Sequence, residues 1–527
     1  FGSSCFFQVA RCATPAEPPM PPKRSPQEDF QDIWDAPWAL LPGVWGRQIL
    51  IFARGARGDV QPVCVLGARL VSEGARVLVL TNVDQVQLVR SFGLRAEGTQ
   101  FPWCLESRPH LTPEFAREVF EAEKRVANRF SPDLIYESSF EINGNARRLS
   151  ELLKVPLLTG VFRPDFQHVY DLPGFTTKID FFDSGEKRPA LLNRTYLHYS
   201  SLLGRVPAEL SQSHQVTGFL HVPQQEQLRR FKLEDPLFGG NSKANLETFL
   251  QLGSPPVCVT FGCMEGPLGT RDDLARLLVG VVVRGLLQAG LRGVLVSGSV
   301  PLEKRFLDEK DLDLQSYAEK NIFFVKSAPH AWLFPRCSLV VHHGGIGTVG
   351  AALRAGLPSV TLLKVAIRDQ VWNAHILQSI GCGLALHDNE LLGSAITWCS
   401  TSEAMRDKCA AMRHRLEEED GAAATVASIE RFMREDVDSG AWREALDAHL
   451  AEKRQALESL RERGGKPCAN HAVCGLCATW HSEWCCAACS WGQGHGPKCD
   501  REPLVPVEKP EEEAAAGADE PPGPSGG

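Results

Sequence analysis

The stretch that decides the fold is NIFFVKSAPHAWLFPRCSLVVHHGGIGTVGAALRAGLPSV, Asn321 to Val360. Within it Ser338 to Val341 is an apolar run that reads as a buried parallel strand. The run breaks at His342, His343, Gly344, Gly345, Ile346 and Gly347, and a helix of small residues is expected to begin near Thr348. A strand, a glycine turn and a helix N-terminus bring bare backbone N–H groups and the positive end of a helix dipole to one point, which suits a phosphate or diphosphate. Taken alone, such a turn says only that an anion can bind.

Outward from this stretch the same pattern recurs. Gln48 to Ala53 reads as a strand, Gly55 to Asp59 as a glycine turn, Val60 to Ser72 as a helix and Ala75 to Thr81 as a second strand, a βαβ start. Ser131 to Ser138 and Val155 to Gly160 read as further buried strands, with a helix over Asn145 to Leu153 between them. Val257 to Gly262 is a strand opening a second α/β unit, followed by a helix over Asp272 to Ala289 and a strand over Gly293 to Ser297. The expected organisation is a Pro-rich, disordered segment at 1–46, a Rossmann-like domain at 47–220 and a linker at 221–256. A second Rossmann-like domain at 257–435, a charged helix at 436–466, a Cys-rich module at 467–500 and a disordered tail at 501–527 complete it. Trp34, Trp38 and Trp45 are read as packing on the first domain.

Composition bounds the partners. The 527-residue chain has a net charge of −8 and no basic run interleaved with aromatics, which argues against nucleic acid. No uncharged apolar stretch reaches the ~18 residues of a spanning helix, so a soluble, cytoplasmic protein is expected, with membrane contact at most peripheral. The chain begins at Phe1 and not at Met, so the lack of a signal peptide carries little weight. Ten of the 17 cysteines are scattered singly, which fits a reducing compartment, and seven cluster between Cys468 and Cys499. In that cluster Cys474 and Cys477 form one CxxC and Cys486 and Cys489 another, an arrangement that offers four thiolates to a structural zinc ion. Disulfides, or a translated noncoding tail, are the alternatives.

Taken together, PHAWLFPR (Pro329 to Arg336), VHHGGIGT (Val341 to Thr348), LRAGLPSV (Leu353 to Val360) and the pair Asp369 and Gln370 resemble the donor signature of the GT-B glycosyltransferases of the UDP-glycosyltransferase type, most closely the sterol 3-beta-glucosyltransferase branch. The segment ARGARGDVQP, Ala53 to Pro62, resembles the same branch at a distant position. The resemblance spans residues 47 to 433 and implies a GT-B fold, two Rossmann-like domains facing across a cleft, with the Cys-rich extension added. It further implies an inverting enzyme that moves a hexose, with glucose expected, from a UDP-sugar to a hydroxyl of a sterol or other lipid-like acceptor, with no catalytic cofactor. By the resemblance Asp59 is the base that takes the acceptor proton, whereas the residues alone read it as a helix N-cap. His343 would contact the donor diphosphate; Gly345, Gly347 and Thr348 would add backbone and hydroxyl donors. Ala328 and His330 would hold uracil and ribose, Gly262 and Cys263 would face the diphosphate, and Asp369 with Gln370 would bind the sugar hydroxyls.

The chain also departs from the family. The segment after Phe162 is short, Cys263 stands where a serine is usual, and LLKVAIR, Leu362 to Arg368, replaces the usual lead into Asp369. These departures motivate a second reading, an inactive GT-B protein that binds a nucleotide or lipid and recruits partners. An NAD-type dehydrogenase is disfavoured because Gly55 to Asp59 does not supply GxGxxG.

Overall fold

The computed structural model describes residues 41–99, 113–138, 144–162, 188–206, 208–262, 271–366 and 368–462. Among the described residues, thirteen strands form two sheets. The first contains β1 (Gln48–Ala53), β2 (Arg76–Thr81), β3 (Arg95–Gly98), β4 (Leu134–Ser138), β5 (Leu157–Val161), β6 (Thr195–Leu197) and β7 (His214–Val216), in the order β3-β2-β1-β4-β5-β6-β7. The second contains β8 (Val257–Thr260), β9 (Gly293–Val296), β10 (Ile322–Val325), β11 (Leu339–His342), β12 (Ser359–Leu362) and β13 (Gly383–Leu386), in the order β10-β9-β8-β11-β12-β13. Every pairing is parallel, with Ile51 opposite Val79 and Tyr136 in one sheet and Val341 opposite Val259 and Val360 in the other.

The strands pair this way because their sequences are continuously apolar. QILIFA, LIYES, VCVT, GVLV and LVVH are buried on both faces, as helices on both sides of a parallel sheet require. In each sheet the first strand of the unit, β1 or β8, sits inside the sheet, so the order in which strands are added reverses beside it. The crevice at such a reversal, beyond the carboxyl ends of the strands, is where open α/β sheets take their ligands.

Several expectations shift by a few residues, with consequences. The first helix begins at Arg57, not at Val60, which moves Asp59 from the loop into the first turn. The helix after the HHGG turn begins at Ile346, and the one after Leu362 begins at Arg368, which puts Asp369 and Gln370 inside its first turn. The stretch at 221–256 is ordered as helices Gln224–Lys232 and Lys243–Gln251, and Phe231 and Leu246 enter the core around β8, β9 and β11. The short segment after Phe162 ends in β6 and β7, which widen the first sheet to seven strands.

The two units are tied together at their far end. The chain crosses back after the second sheet: the helix Gly421–Phe432 puts Ala422, Val426, Ile429 and Phe432 into the core of the first unit beside Val60, Val63 and Leu66. At this crossing a Cβ on Gly421 would lie 2.4 Å from the carbonyl oxygen of Gly218, so only glycine lets the two backbones meet. The charged helix, Ala441–Glu462, is not solvated all round, since Trp442 and Leu446 are buried in the same core. Trp45 lies over Gly74 while remaining 50% exposed. Trp34 and Trp38, Cys263 and the four cysteines Cys474, Cys477, Cys486 and Cys489 lie outside the described residues.

Candidate active site

Beyond the end of β1 the chain runs through Arg54, Gly55 and Ala56 into the helix Arg57–Ser72. Gly55 takes φ +127°, and its amide donates to Asn82 Oδ1 at 3.1 Å. A Cβ here would fall 2.4 Å from Asp59 Oδ2, so the glycine leaves room for that carboxylate to fold back. Asp59 Oδ2 accepts the Ala56 amide at 2.8 Å. Asp59 is therefore the third helical residue and not the cap itself, but it does perform a capping task. Arg57 donates from Nε to Gln61 Oε1 at 2.8 Å and from Nη2 to the Leu237 carbonyl at 3.0 Å. Behind the turn Arg54, only 1% exposed, is ion-paired with Glu123, whose other oxygen accepts from Asn145 Nδ2 at 2.7 Å. Burying that pair is tolerable because the carboxylate is bonded on both oxygens.

Beyond the end of β11 an equivalent turn has different contents. The Gly344 amide donates to His342 Nδ1 at 3.0 Å, which makes that nitrogen the acceptor and places the ring proton of neutral His342 on Nε2. The Gly344 carbonyl accepts from Asn373 Nδ2 at 2.9 Å. Gly344 has φ +91°, and a Cβ on it would lie 2.3 Å from the Gln370 carbonyl oxygen. That approach seats the first turn of the helix Arg368–Ser379, with Asp369 and Gln370, directly against the HHGG turn. The His343 ring is flanked by glycines: a Cβ on Gly345 would be 2.5 Å from its Nε2, and one on Gly262 would be 3.1 Å from its Cε1. His343 is 6% exposed, and its Nδ1 is buried without a hydrogen-bond partner. The helix Ile346–Ala355 starts from Gly345 with no side-chain cap and no acidic residue in its first turn, and Thr348 is buried there.

The third piece is the turn after β10. Ala328 is buried, and His330 opens a short helix, stacked on Phe334 with ring centroids 4.5 Å apart and planes 15° apart. Burial holds His343 at a pKa of about 4. Burial chiefly, then His343 and His330, hold His342 at about 3. Burial and then the Arg57 charge lower His330 to about 4. All three imidazoles are therefore neutral at pH 7.

The influence of Arg57 on His330 joins the two turns, since one residue belongs to the first unit and the other to the second. Ile346, at the start of the uncapped helix, packs against the cores of both units. Asp59 thus sits two residues from Arg57, which is bonded to the Leu237 carbonyl and whose charge acts on His330. Gly262, His343, Gly345, Thr348, Asp369 and Gln370 are gathered around one turn, with Ala328 and His330 beside them. Sequence reasoning passed over Arg57, Asn373 and Ser327. Arg57 lay inside the quoted RGD segment, and Asn373 lies four residues after Asp369, on the same helix face; Ser327 carried no signal.

The family described as "Erythromycin biosynthesis protein CIII-like, C-terminal domain" matches residues 305–430, which contain the HHGG turn and Asp369. Among curated proteins, a "Sterol 3-beta-glucosyltransferase" of Saccharomyces cerevisiae is 24% identical over 431 residues, 71% of this chain and 34% of that protein. The "Sterol 3-beta-glucosyltransferase UGT80B1" of Arabidopsis thaliana is 26% identical over 447 residues, covering 73% of this chain and 68% of that one. One from Sclerotinia sclerotiorum is 34% identical over 438 residues, 72% of this chain and 29% of that protein. The chain thus spans about a third of the length of these two fungal relatives. Among solved structures, the calicheamicin glycosyltransferase CalG4 superposes with a TM-score of 0.52 at 14% identity, covering 74% of this chain and 99% of that one. VinC, solved with DTDP, superposes with a TM-score of 0.50 at 16% identity, over 73% and 99%. The chain has the two-sheet fold of the GT-B glycosyltransferases, its residues 305–430 match the EryCIII-like C-terminal domain, and sterol 3-beta-glucosyltransferases are among its curated relatives.

Proposed function

We propose that the protein transfers a sugar, with glucose expected, from a UDP-sugar to a hydroxyl of a sterol or similar lipid-like acceptor, with inversion at the anomeric carbon. The observation that carries the donor side is the uncapped start of the helix Ile346–Ala355 beside the unpartnered Nδ1 of His343. Amides aimed at one point, a positive dipole end and an imidazole without a partner favour a diphosphate. The relatives' names supply the expected acceptor, and the DTDP bound to VinC is a nucleoside diphosphate in a protein of this fold.

In this reading Asp59 Oδ accepts the proton of the acceptor hydroxyl as the oxygen attacks the anomeric carbon. The bond from that carbon to the β-phosphate oxygen breaks, and UDP leaves. A carboxylate with an ordinary pKa near 3.9 is a weak base for an alcohol, so proton transfer comes late, once the attacking oxygen has gained positive charge. The bond from the Ala56 amide fixes the direction of the carboxylate. Charge developing on the leaving phosphate meets donors already in place: the amides of Gly345 and Gly347, the Thr348 hydroxyl and the His343 ring. Asp369 and Gln370, one turn away, are assigned to the sugar hydroxyls. A lipid-like acceptor implies that the protein works at a membrane surface as a peripheral component.

The test is UDP release against a panel of sterols and other aglycones, with the glycosylated product identified by mass. Product from a sterol supports the assignment. UDP binding without product from any acceptor would replace it with a nucleotide-binding, non-catalytic role.

A further inference from the structure

Residues 236–239 lie between the two halves of the site and are bonded to both. The Leu237 carbonyl accepts from Arg57 Nη2 at 3.0 Å, and Arg57 is in the same first helical turn as Asp59. One residue earlier, the Pro236 carbonyl accepts from Ser327 Oγ at 2.8 Å; two residues later, the Gly239 amide donates to that same Oγ at 3.1 Å. Ser327 immediately precedes Ala328, Pro329 and His330. One four-residue turn therefore carries the attachment of both the helix that bears Asp59 and the loop expected to hold the nucleoside.

The turn is itself firmly held. Asp235 Oδ1 accepts the Leu237 amide at 2.9 Å, closing its start. Phe238 lies between two guanidinium groups, Arg57 at 5.3 Å and Arg230 at 5.0 Å from its ring centre. Arg230 also covers Phe92 at 4.4 Å and donates to the Ser91 carbonyl at 2.6 Å, so the turn is anchored to the first unit. On the other side Phe231 packs on Trp332 at 5.0 Å, and Gln227 Oε1 accepts the Ala331 amide at 3.2 Å, anchoring it to the second. Gly239, at φ +115° with Phe231 only 2.3 Å from where a Cβ would stand, lets the chain pass between them.

We propose that the Pro236–Gly239 turn couples the donor loop to the base, with Ser327 and Arg57 as positioning residues that hold Asp59 in register with the bound sugar nucleotide. Its catalytic consequence rests on the transferase reading above; its mechanical content does not. A bound nucleotide that steadies residues 327–330 steadies Pro236 and Gly239 through Ser327, and residues 57–59 through Leu237.

Hydrogen exchange on the full chain tests the mechanical part without any ligand. Ser327→Ala removes a side chain on the donor loop, and the amides of residues 56–60 should exchange roughly fivefold faster, while those of β2 stay as they were. Unchanged exchange at 56–60 overturns the coupling. The catalytic part is read from Arg57→Met, expected to lower kcat about tenfold with UDP affinity within about twofold of the parent, and from Arg57→Lys, which keeps a donor for Leu237 and should recover most of the loss. A loss of UDP affinity equal to the loss of rate would make Arg57 a donor ligand and sink the positioning role. A protein that binds UDP and transfers nothing ends the transferase reading, yet leaves the exchange result to stand or fall by itself.

Discussion

The turns beyond β1 and β11 are built alike and filled differently. Each ends a buried parallel strand, contains a glycine with positive φ and starts a helix, with Ala56 or Gly345 at the cap and Gly58 or Gly347 in the second helical position. They part at the third helical position, which is Asp59 in one and Thr348 in the other. In the first turn the chain's own carboxylate already occupies the positive helix end and takes the Ala56 amide. In the second no side chain caps the helix, and the nearby imidazole nitrogen lacks a partner. An anion from outside meets repulsion from Asp59 at the first turn and no carboxylate in the first helical turn at the second. The same local architecture thus fits the proposed base in one unit and the proposed phosphate site in the other.

The comparison breaks most sharply at Asp59. Asn retains an oxygen that can accept the Ala56 amide, so Asp59→Asn preserves the cap and removes the proposed base. Transfer should fall by about 10²–10⁴, the usual worth of a general base, with UDP affinity unchanged by calorimetry. Turnover at the parent rate would reduce Asp59 to a capping residue.

The second turn is probed by His343→Gln. If the ring donates to the diphosphate, UDP should bind about 10- to 100-fold more weakly while uridine, which lacks the phosphates, binds as before. An equal loss for both ligands would mean that the ring merely supports the turn against Gly262 and Gly345.

How much of this was legible is best judged at these same residues. The continuous apolar runs of β1, β4, β8 and β11 were plain, because strands buried on both faces carry one kind of residue. The glycine turns were plain because positive φ and close approach demand glycine. Less visible was where each helix begins, since Asp59 could be read as the cap or as a residue of the first turn, and the helix start at Arg57, with Asp59 reaching back to the Ala56 amide, decides it. The stretch at 221–256 reads as a linker because its helices are short and its charges many. Yet Arg230 and Glu226 are buried there by pairing with each other, a tertiary fact with no local signature. Asn373 likewise gains its meaning only from the Gly344 carbonyl brought to it.

A milder pair of changes sharpens the contrast. Gly58 and Gly347 occupy matching positions, and at both a Cβ would meet nothing within 4 Å. Alanine at either should leave the fold intact and stabilise it by about 0.4–1 kcal/mol through the unfolded chain. Gly58→Ala should not alter UDP affinity; Gly347→Ala should weaken it by roughly 3- to 10-fold, because the added methyl would stand where the proposed diphosphate meets the amides. Equal behaviour of the two would show that the turns are not specialised in this way.

A further contrast lies in the response to acid of the unliganded protein. His343 is held by burial at about 4, and His342 at about 3 by burial and by its two neighbouring imidazoles, whereas an unfolded chain restores values near 6.5. Between those limits the unfolded state binds protons that the folded state refuses, so stability is intact above pH 6.5 and falls progressively as pH drops towards 4. His198, directly after β6 and bonded to Tyr136 and Thr217, follows the same law with a value of about 3. His330, partly open to solvent, should add less than its lowered value suggests. The two regions separate when a ligand is added. In the proposed placement UDP is a polyanion beside His343 and raises the affinity of that ring for protons, so thermal melts across this range should show the acid loss reduced by UDP for the second turn's share. His198 is not part of either turn, and its share should persist. If saturating UDP leaves the whole acid dependence as it was, the diphosphate does not sit against the HHGG turn, and the specialisation of the two turns would have to be assigned the other way round.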